Sequence, residues 1–410
     1  MKILIVNTSD IQGGAARAAY RLHKALLAES VDSQMLVQSK ASDDFTVLGP
    51  QTKIQKALGK IRPTLDSLPV LRYKGRTKTL FSPGWLPFSG LADKINSLNP
   101  DVVHLHWIAG GMLRIEDLAK IKAPIIWSLH DNWAFTGGCH IMWECERYKQ
   151  SCGSCPRLGS QKERDLSHTF WLRKNKIFSQ LPNIKIIGLS NWLAECANQS
   201  SLLGAHDVNC LPNVIDTQIF SPFDKSQARV LLNLPQDKKL IAFGAMSATS
   251  DINKGFRELA QALEFLSPDY ELVVFGSSEP NTPQGFKQKA YYLGHLYDDV
   301  SLRLLYSAVD VMVVPSLQEN LSNAIMESLA CGTPVVCFAI GGNTDLVVHH
   351  QTGYLAQPFN IEDLSNGINW ILIHQSPWEL SLNARQKILS DFDSKVITAR
   401  YIKTYLSVLS

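Results

Sequence analysis

Residues 311–353 read VMVVPSLQENLSNAIMESLACGTPVVCFAIGGNTDLVVHHQTG. Val311 to Val314 is a short apolar run, the pattern of a strand buried on both faces. A polar loop follows, then a helix with Ala324, Ile325 and Leu329 on one side. Cys331-Gly332 closes that helix with a glycine suited to a left-handed cap. Pro334 to Phe338 is a second buried strand, ending in a Gly341-Gly342 turn. Strand, helix, strand is the unit of an open parallel sheet. Such sheets bind ligands where the strand ends meet the helix starts.

Two acids frame that meeting point. Glu319 lies in the loop and Glu327 eight positions on, inside the helix. A helix start offers backbone N–H groups and a partial positive charge to a phosphate. Asn320, Leu321 and Ser322 would present those groups to a diphosphate, and the two carboxylates would accept from sugar hydroxyls. The plain alternative is a first-turn acid favoured by the helix dipole plus a solvated charge. The pattern E-x7-E, then SLACGTPVV, GG and TGYL, resembles the donor-site signature of retaining glycosyltransferases of family 4. The resemblance implies a GT-B fold: α/β, with two Rossmann-like doubly wound parallel-sheet domains facing a cleft. It places Glu319 against the transferred sugar and Glu327 against the ribose of a nucleotide-diphosphate sugar donor.

The chain has 410 residues, enough for two cores, and 45% hydrophobic content, ordinary for a globular protein. A net charge of +3 gives no reason to expect nucleic acid as a partner. MKILIVNTSD has too short an apolar run for a secretory leader and reads as a first strand. No apolar run reaches membrane-spanning length. The expected location is cytoplasmic, with peripheral contact at the inner membrane face.

After the first strand, Gly13-Gly14 opens a helix that carries Arg17. The spacing is not that of a dinucleotide fingerprint. It resembles the family's loop between donor and acceptor, which makes Gly14 a donor-side candidate and Gly13 and Arg17 acceptor-side ones. Lys53 to Lys78 carries eight cations against one acid, Asp66, interleaved with apolar residues that run on to Phe88. This reads either as a surface for anionic lipid or as a solvated face. Strands at Asp101–His106 and Pro124–His130 follow. His104 and His106 alternate with apolar residues and read as core histidines pointing opposite ways. His130-Asp131 resembles the family's catalytic loop, with His130 beside the donor sugar and Asp131 toward the acceptor.

Cys139, Cys145, Cys152 and Cys155 fall within seventeen positions, ending in C-x2-C. Clustered thiols in a reducing compartment point to a metal, and four thiolates fit a closed structural zinc site. His140 and His168 are spare ligands; unligated thiols or one disulfide are the alternatives. Val208–Leu211 is expected to open the second domain, and the LPNVIDTQIFSP segment resembles the family's interdomain stretch, with Val214 where a glycine is usual and Asp216 structural. Lys254-Gly255 matches the family's diphosphate-gripping lysine. The companion arginine is missing: Ala245 stands near its place, and Ser247, Thr249, Ser250 or Arg257 would have to compensate. Asp391-Phe392-Asp393 is a D-x-D triplet beside a helix and reads as a cap, not a metal site.

The expected organisation is an acceptor domain over residues 1–205 with a Cys-rich insertion at about 137–160. A donor domain spans 206–375, and C-terminal helices over 376–410 return to the first domain. The expected function is transfer of a sugar to a glycan or lipid-linked hydroxyl acceptor in polysaccharide or glycolipid biosynthesis. His130, Glu319 and Lys254 are the catalytic candidates, and no cofactor is required for catalysis. A GT-B phosphorylase or epimerase-like enzyme, or a catalytically silent binding subunit, are the rival readings.

Overall fold

The structure, a computed structural model, describes every residue except Phe88, 245–249, 278–285 and Ser410. The chain divides into two compact units, Met1–Asn213 with Ile397–Ser410, and Val214–Val396.

The first unit is built on seven strands: β1 (Lys2–Ser9), β2 (Asp32–Ser39), β3 (Val47–Leu48), β4 (Val102–Leu105), β5 (Ile125–Leu129), β6 (Lys185–Gly188) and β7 (Asp207–Cys210). Their order is β3-β2-β1-β4-β5-β6-β7. All neighbours are parallel, with Val6 opposite Leu105 where β1 meets β4. β4 and β5 are buried along their whole length, as the continuous apolar runs demand. The helix Gly14–Ala28 covers one face with Ala16, Ala19, Leu22 and Leu26. The last helix, Ser394–Ser407, buries Tyr401 and Tyr405 in this unit; the Tyr401 hydroxyl donates to the Leu211 carbonyl at 3.3 Å.

The second unit has six strands: β8 (Leu240–Gly244), β9 (Glu271–Phe275), β10 (Ala290–Tyr292), β11 (Val311–Val314), β12 (Val335–Phe338) and β13 (Gly353–Ala356). Their order is β10-β9-β8-β11-β12-β13, again all parallel. Each sheet therefore runs outward from its first strand, reverses, and leaves a switch point between its first and fourth strands. Those points are β1/β4 and β8/β11, where the loops diverge and a crevice forms.

Two local expectations need correcting. Residues 208–211 do not open the second domain, because Asp207–Cys210 is β7, the edge strand of the first sheet. Its alternation of exposed Asp207 and Asn209 with half-buried Val208 and Cys210 suits an edge with one neighbour. His104 and His106 do not point opposite ways. A strand repeats every two residues, so both rings lie on one side, 4.3 Å apart.

The helix Asn323–Ala330 is held at both ends. Ser322 caps its start by accepting from the Ile325 N–H, and Arg385 donates to the Ala330, Thr217 and Phe220 carbonyls at 2.7, 2.7 and 2.5 Å. A guanidinium at a helix C-terminus satisfies orphan carbonyls and opposes the dipole. Upstream, the short turn Ile252–Lys254 ends in Gly255 at φ 72°. A Cβ at Gly255 would stand 1.9 Å from the Pro315 carbonyl oxygen. Any side chain there forces apart the two loops that leave β8 and β11. Gly255→Ala is expected to lower unfolding free energy by about 2–4 kcal/mol, read by urea denaturation; an unchanged midpoint would mean that the Pro315 loop yields freely.

Candidate active site

In the second unit, the loops after β8 and β11 are stitched together by Asn253. Its side chain donates to the Gln318 carbonyl at 2.8 Å, and its carbonyl accepts from the Leu317 N–H at 2.9 Å. Asp251 fixes the turn by accepting from the Asn253 N–H at 2.9 Å. This stitching sets Lys254 Nζ 3.4 Å from Glu319 Oε2, which also accepts from Ser316 Oγ at 3.2 Å. Lys254 is 28% exposed and Glu319 16%, so the pair is sheltered but reachable. The Glu319 carboxylate raises the lysine pKa against the opposing effect of burial, so the ammonium is secure. Gly342 N–H donates to the Glu319 carbonyl at 3.2 Å, bringing the Gly341-Gly342 turn to the same place.

Asn320, Leu321 and Ser322 lead from Glu319 into the helix; Leu321 and Ser322 are buried. Glu327 is only 4% exposed and accepts from the Tyr306 hydroxyl at 2.9 Å. Its placement on the buried face follows from the eight-residue spacing, which carries it one turn past the cap. Ala245, Ser247 and Thr249 lie outside the described residues.

In the first unit, Gly13 has φ 99° and ends the loop after β1; Gly14 begins the helix, and Arg17 N–H donates to the Gly13 carbonyl at 3.0 Å. The loop is anchored by Asp10, which is fully buried and accepts from the N–H groups of Ile11, Ala41 and Ser42 at 2.8–3.1 Å. Beside it, Trp107 follows β4. Its N–H donates to Asn7 Oδ1, its carbonyl accepts from Thr8, and its indole donates to Asp131 Oδ2 at 2.7 Å.

His130 Nε2 lies 2.8 Å from His106 Nδ1. His106 Nε2 is buried and has no partner. An orphan acceptor is cheaper to bury than an orphan N–H donor, so the favoured tautomer has His106 Nδ1–H donating to His130. Burial, with His104 and His130 as cationic neighbours to avoid, keeps His106 well below its ordinary pKa. Burial lowers His130 to about 4 against the pull of Asp131, so both rings are neutral at pH 7. His104 is bound on both nitrogens, to the Tyr405 hydroxyl and Ser128 Oγ at 2.8 Å each, and burial lowers it to about 3.

Asp131 is the hub of the same loop. Burial opposes its ionisation, but His140, Trp133 N–H and the Trp107 indole hold its carboxyl below the usual range. His140 Nδ1 stands 2.6 Å from Asp131 Oδ2 and its Nε2 2.9 Å from Ser82 Oγ. Both nitrogens are engaged, so His140 is not a spare metal ligand. His168 Nδ1 is likewise bound to the Cys152 carbonyl at 2.8 Å. The four clustered cysteines line one cavity of ≈ 20 Å³. Burial pushes Cys139 and Cys155 upward and Cys152 up to about 12. Among the described residues no three His, Cys, Asp or Glu side chains stand as a ready metal-binding group. Asp393 accepts from Thr217 Oγ1 and from the Lys395 N–H, the work of a cap.

The structure thus pairs Lys254 with Glu319, His130 with His106, and Asp131 with His140 and Trp107. Asp10, Trp107 and Tyr306 escaped the sequence reading, and His140 was read there only as a spare metal ligand. An acid ending the first strand was the available signal for Asp10.

The glycosyl transferases group 1 family model matches residues 237–374. A putative colanic acid biosynthesis glycosyl transferase of Escherichia coli K12 is 24% identical over 362 residues, 82% of each chain. A D-inositol 3-phosphate glycosyltransferase of Stackebrandtia nassauensis is 30% identical over 178 residues, 40% of each chain. Among solved structures, sucrose-phosphate synthase of Thermosynechococcus elongatus superposes with TM-score 0.68, covering 100% of this chain and 99% of that one at 18% identity. Anabaena Alr3699/HepE, solved with UDP and glucose, gives 0.68 over 99% and 100% at 17% identity. The fold is GT-B and the protein is a glycosyltransferase.

Its neutral histidines carry a pH signature. His104 has a folded pKa of about 3, below the unfolded value near 6.5. The unfolded chain therefore binds the proton first as pH falls. The stabilisation is complete above about pH 6.5 and is lost on acidification through that value toward the folded pKa. The slope is about 1.4 kcal/mol per pH unit for one proton. His104→Gln is expected to flatten the urea-midpoint-against-pH profile between pH 6.5 and 4 by about one proton relative to the parent glycosyltransferase; parallel profiles would contradict the neutral assignment.

Proposed function

We propose that this glycosyltransferase moves a hexosyl group from a nucleoside-diphosphate sugar to a hydroxyl acceptor with retention of anomeric configuration. The observation that carries the reading is the Lys254–Glu319 pair at the β8/β11 switch point. There the ammonium meets the donor diphosphate, together with Asn320, Leu321 and Ser322 at the helix start. Glu319 accepts from hydroxyls of the sugar, and Glu327, braced by Tyr306, from those of the ribose. The bond from C1 to the diphosphate oxygen breaks as the acceptor oxygen bonds to C1 on the same face. The acceptor proton passes to the departing diphosphate, whose growing charge Lys254 stabilises. No divalent cation is needed for this step, because the lysine and the helix start supply the positive field. In the first unit, His130, neutral and braced by His106, is the proposed catalytic residue, with Gly14 on the donor side and Gly13, Arg17 and Asp131 on the acceptor side.

A lipid-linked glycan at the cytoplasmic membrane face is the proposed acceptor class, in keeping with the colanic acid relative. The surface of the first unit supports it. Ile54, Leu58, Ile61 and Leu65 recur at steps of four, three and four along the helix Lys53–Ser67 and are 74, 51, 49 and 38% exposed. Leu68 and Leu71 extend the stripe. The helix packs instead through Gly59, Arg62 and Asp66, and Arg62 donates to the Gly111 carbonyl at 2.6 Å. An apolar stripe beside Lys53, Lys56 and Lys60 fits an anionic bilayer surface. Among the described residues no helix is long and apolar enough to cross a membrane.

The test is turnover with a panel of UDP-, GDP- and ADP-sugars, with and without EDTA, and proton NMR of the fresh product. One donor should be consumed, EDTA should leave the rate unchanged, and the product should keep the donor's anomeric configuration. Lys254→Met should lower kcat by roughly 100–1,000-fold. An inverted product overturns the retaining mechanism, and binding without turnover of any donor returns the chain to a silent subunit. In sedimentation with vesicles, Leu58→Glu combined with Leu65→Glu should abolish a preference for phosphatidylglycerol over phosphatidylcholine; an unbound parent protein would remove the membrane from the account.

A further inference from the structure

We propose, on the reading of His130 as a catalytic residue, that His106 is a positioning residue that locks His130 in its Nδ1–H form, so that His130 meets the substrate only as a hydrogen-bond donor and never as a base.

The two histidines stand just past the C-terminal ends of neighbouring strands. β4 and β5 pair with Leu105 opposite Trp127, and His106 and His130 each follow their strand by one residue. His106 is pinned through its main chain. Its N–H donates to the Val6 carbonyl at 2.9 Å, and its carbonyl accepts from the Trp127 indole at 3.0 Å. The ring is 3% exposed, with its centroid 5.1 Å from that of His130. His130 is held from the other side by Asp131, which is bonded to Trp107, Trp133 and His140.

A neutral imidazole has one N–H and one lone pair, and the bond made by one nitrogen decides which form the ring takes. His106 Nδ1 and His130 Nε2, 2.8 Å apart, share one proton, and two arrangements make that bond. If His130 donates, His106 carries its own proton on Nε2, an N–H buried without an acceptor. If His106 donates, only a lone pair is left bare there. His104 cannot rescue the first arrangement. Its ring lies 4.3 Å from that of His106, but both of its nitrogens are taken by Tyr405 and Ser128. The cost of a buried unpaired donor favours the second arrangement by roughly tenfold or more. Burial of both rings opposes a second proton on the pair.

His130 therefore accepts on Nε2 and carries its proton on Nδ1. Among the described residues Nδ1 has no hydrogen-bond partner, and His130 is half-buried, so this N–H is the group left for a ligand. With Nε2 occupied by His106 and Nδ1 by its own proton, the ring has no lone pair with which to take a proton from an acceptor hydroxyl. It can donate to an oxygen of the sugar. The departing diphosphate remains the destination of the acceptor proton, as the proposed reaction requires.

The test is ¹⁵N NMR of the full chain labelled at the histidine ring nitrogens, with the His130 signals assigned by their loss in His130→Gln. His130 should be protonated at Nδ1 and bare at Nε2, His106 bare at Nε2, and a coupling across the N–H···N bond should join His106 Nδ1 to His130 Nε2. A proton on Nε2 of either ring overturns the proposal. In turnover, His106→Leu should lose the fixed His130 form and lower kcat at least about tenfold while changing the donor KM less than about threefold. His106→Asn, whose amide N–H takes the place of Nδ1–H, should restore both. An unchanged kcat in His106→Leu protein that has lost the fixed form also overturns the proposal. Should His106→Leu fail to fold, the parent spectrum and His106→Asn decide. The ring protons are read without substrate, so their outcome is separate from whether any donor turns over.

Discussion

The close approach of Gly255 to the Pro315 carbonyl is the constraint on which the geometry of the β8 and β11 loops rests. Without it the loops leaving β8 and β11 could not share the Asn253 hydrogen bonds, and Lys254 would have no fixed distance to Glu319. A lysine held this way is kept charged by its partner carboxylate while both are sheltered from water. In the proposed reaction that suits a group meeting a diphosphate at the moment its charge grows. Cap and clamp complete the arrangement: Ser322 and Arg385 hold the two ends of the helix that carries Glu327.

The first unit handles charge in the opposite way. Its switch point is lined by neutral imidazoles, tilted against one another with His106 hydrogen-bonded to His130, and by one carboxylate, Asp131, held by Trp107, Trp133 and His140. In the proposed reaction a neutral His130 would offer hydrogen bonding without adding a fixed cation. Asp10 braces the first loop by accepting from the N–H groups of Ile11, Ala41 and Ser42.

Much of this was legible in the chain. The apolar runs and glycine punctuation of 311–353 fix a strand-helix-strand unit because periodicity and caps are local properties. Lys254 and Glu319 could each be named from their motifs, and the structure pairs them. What escaped reading depends on contacts between distant segments. His106 meets His130 because β4 and β5 pair in register, and His140 reaches Asp131 because the intervening loop folds back. Asp10 needs Ala41 and Ser42, thirty residues away. The seventh strand was misassigned because an edge strand, wet on alternate residues, carries too little apolar signal to declare its sheet.

The central claim is that Lys254, set by the Gly255 and Asn253 stitching, grips the phosphates of a nucleotide donor. Calorimetric titration with UDP and with uridine, for the parent protein and Lys254→Met, tests it most directly. The account predicts that UDP binds at least about 100-fold more tightly than uridine, equivalent to about 2.7 kcal/mol. It also predicts that Lys254→Met removes most of that difference while leaving uridine binding unchanged. Equal binding of UDP and uridine, or an undiminished preference in Lys254→Met, would contradict it.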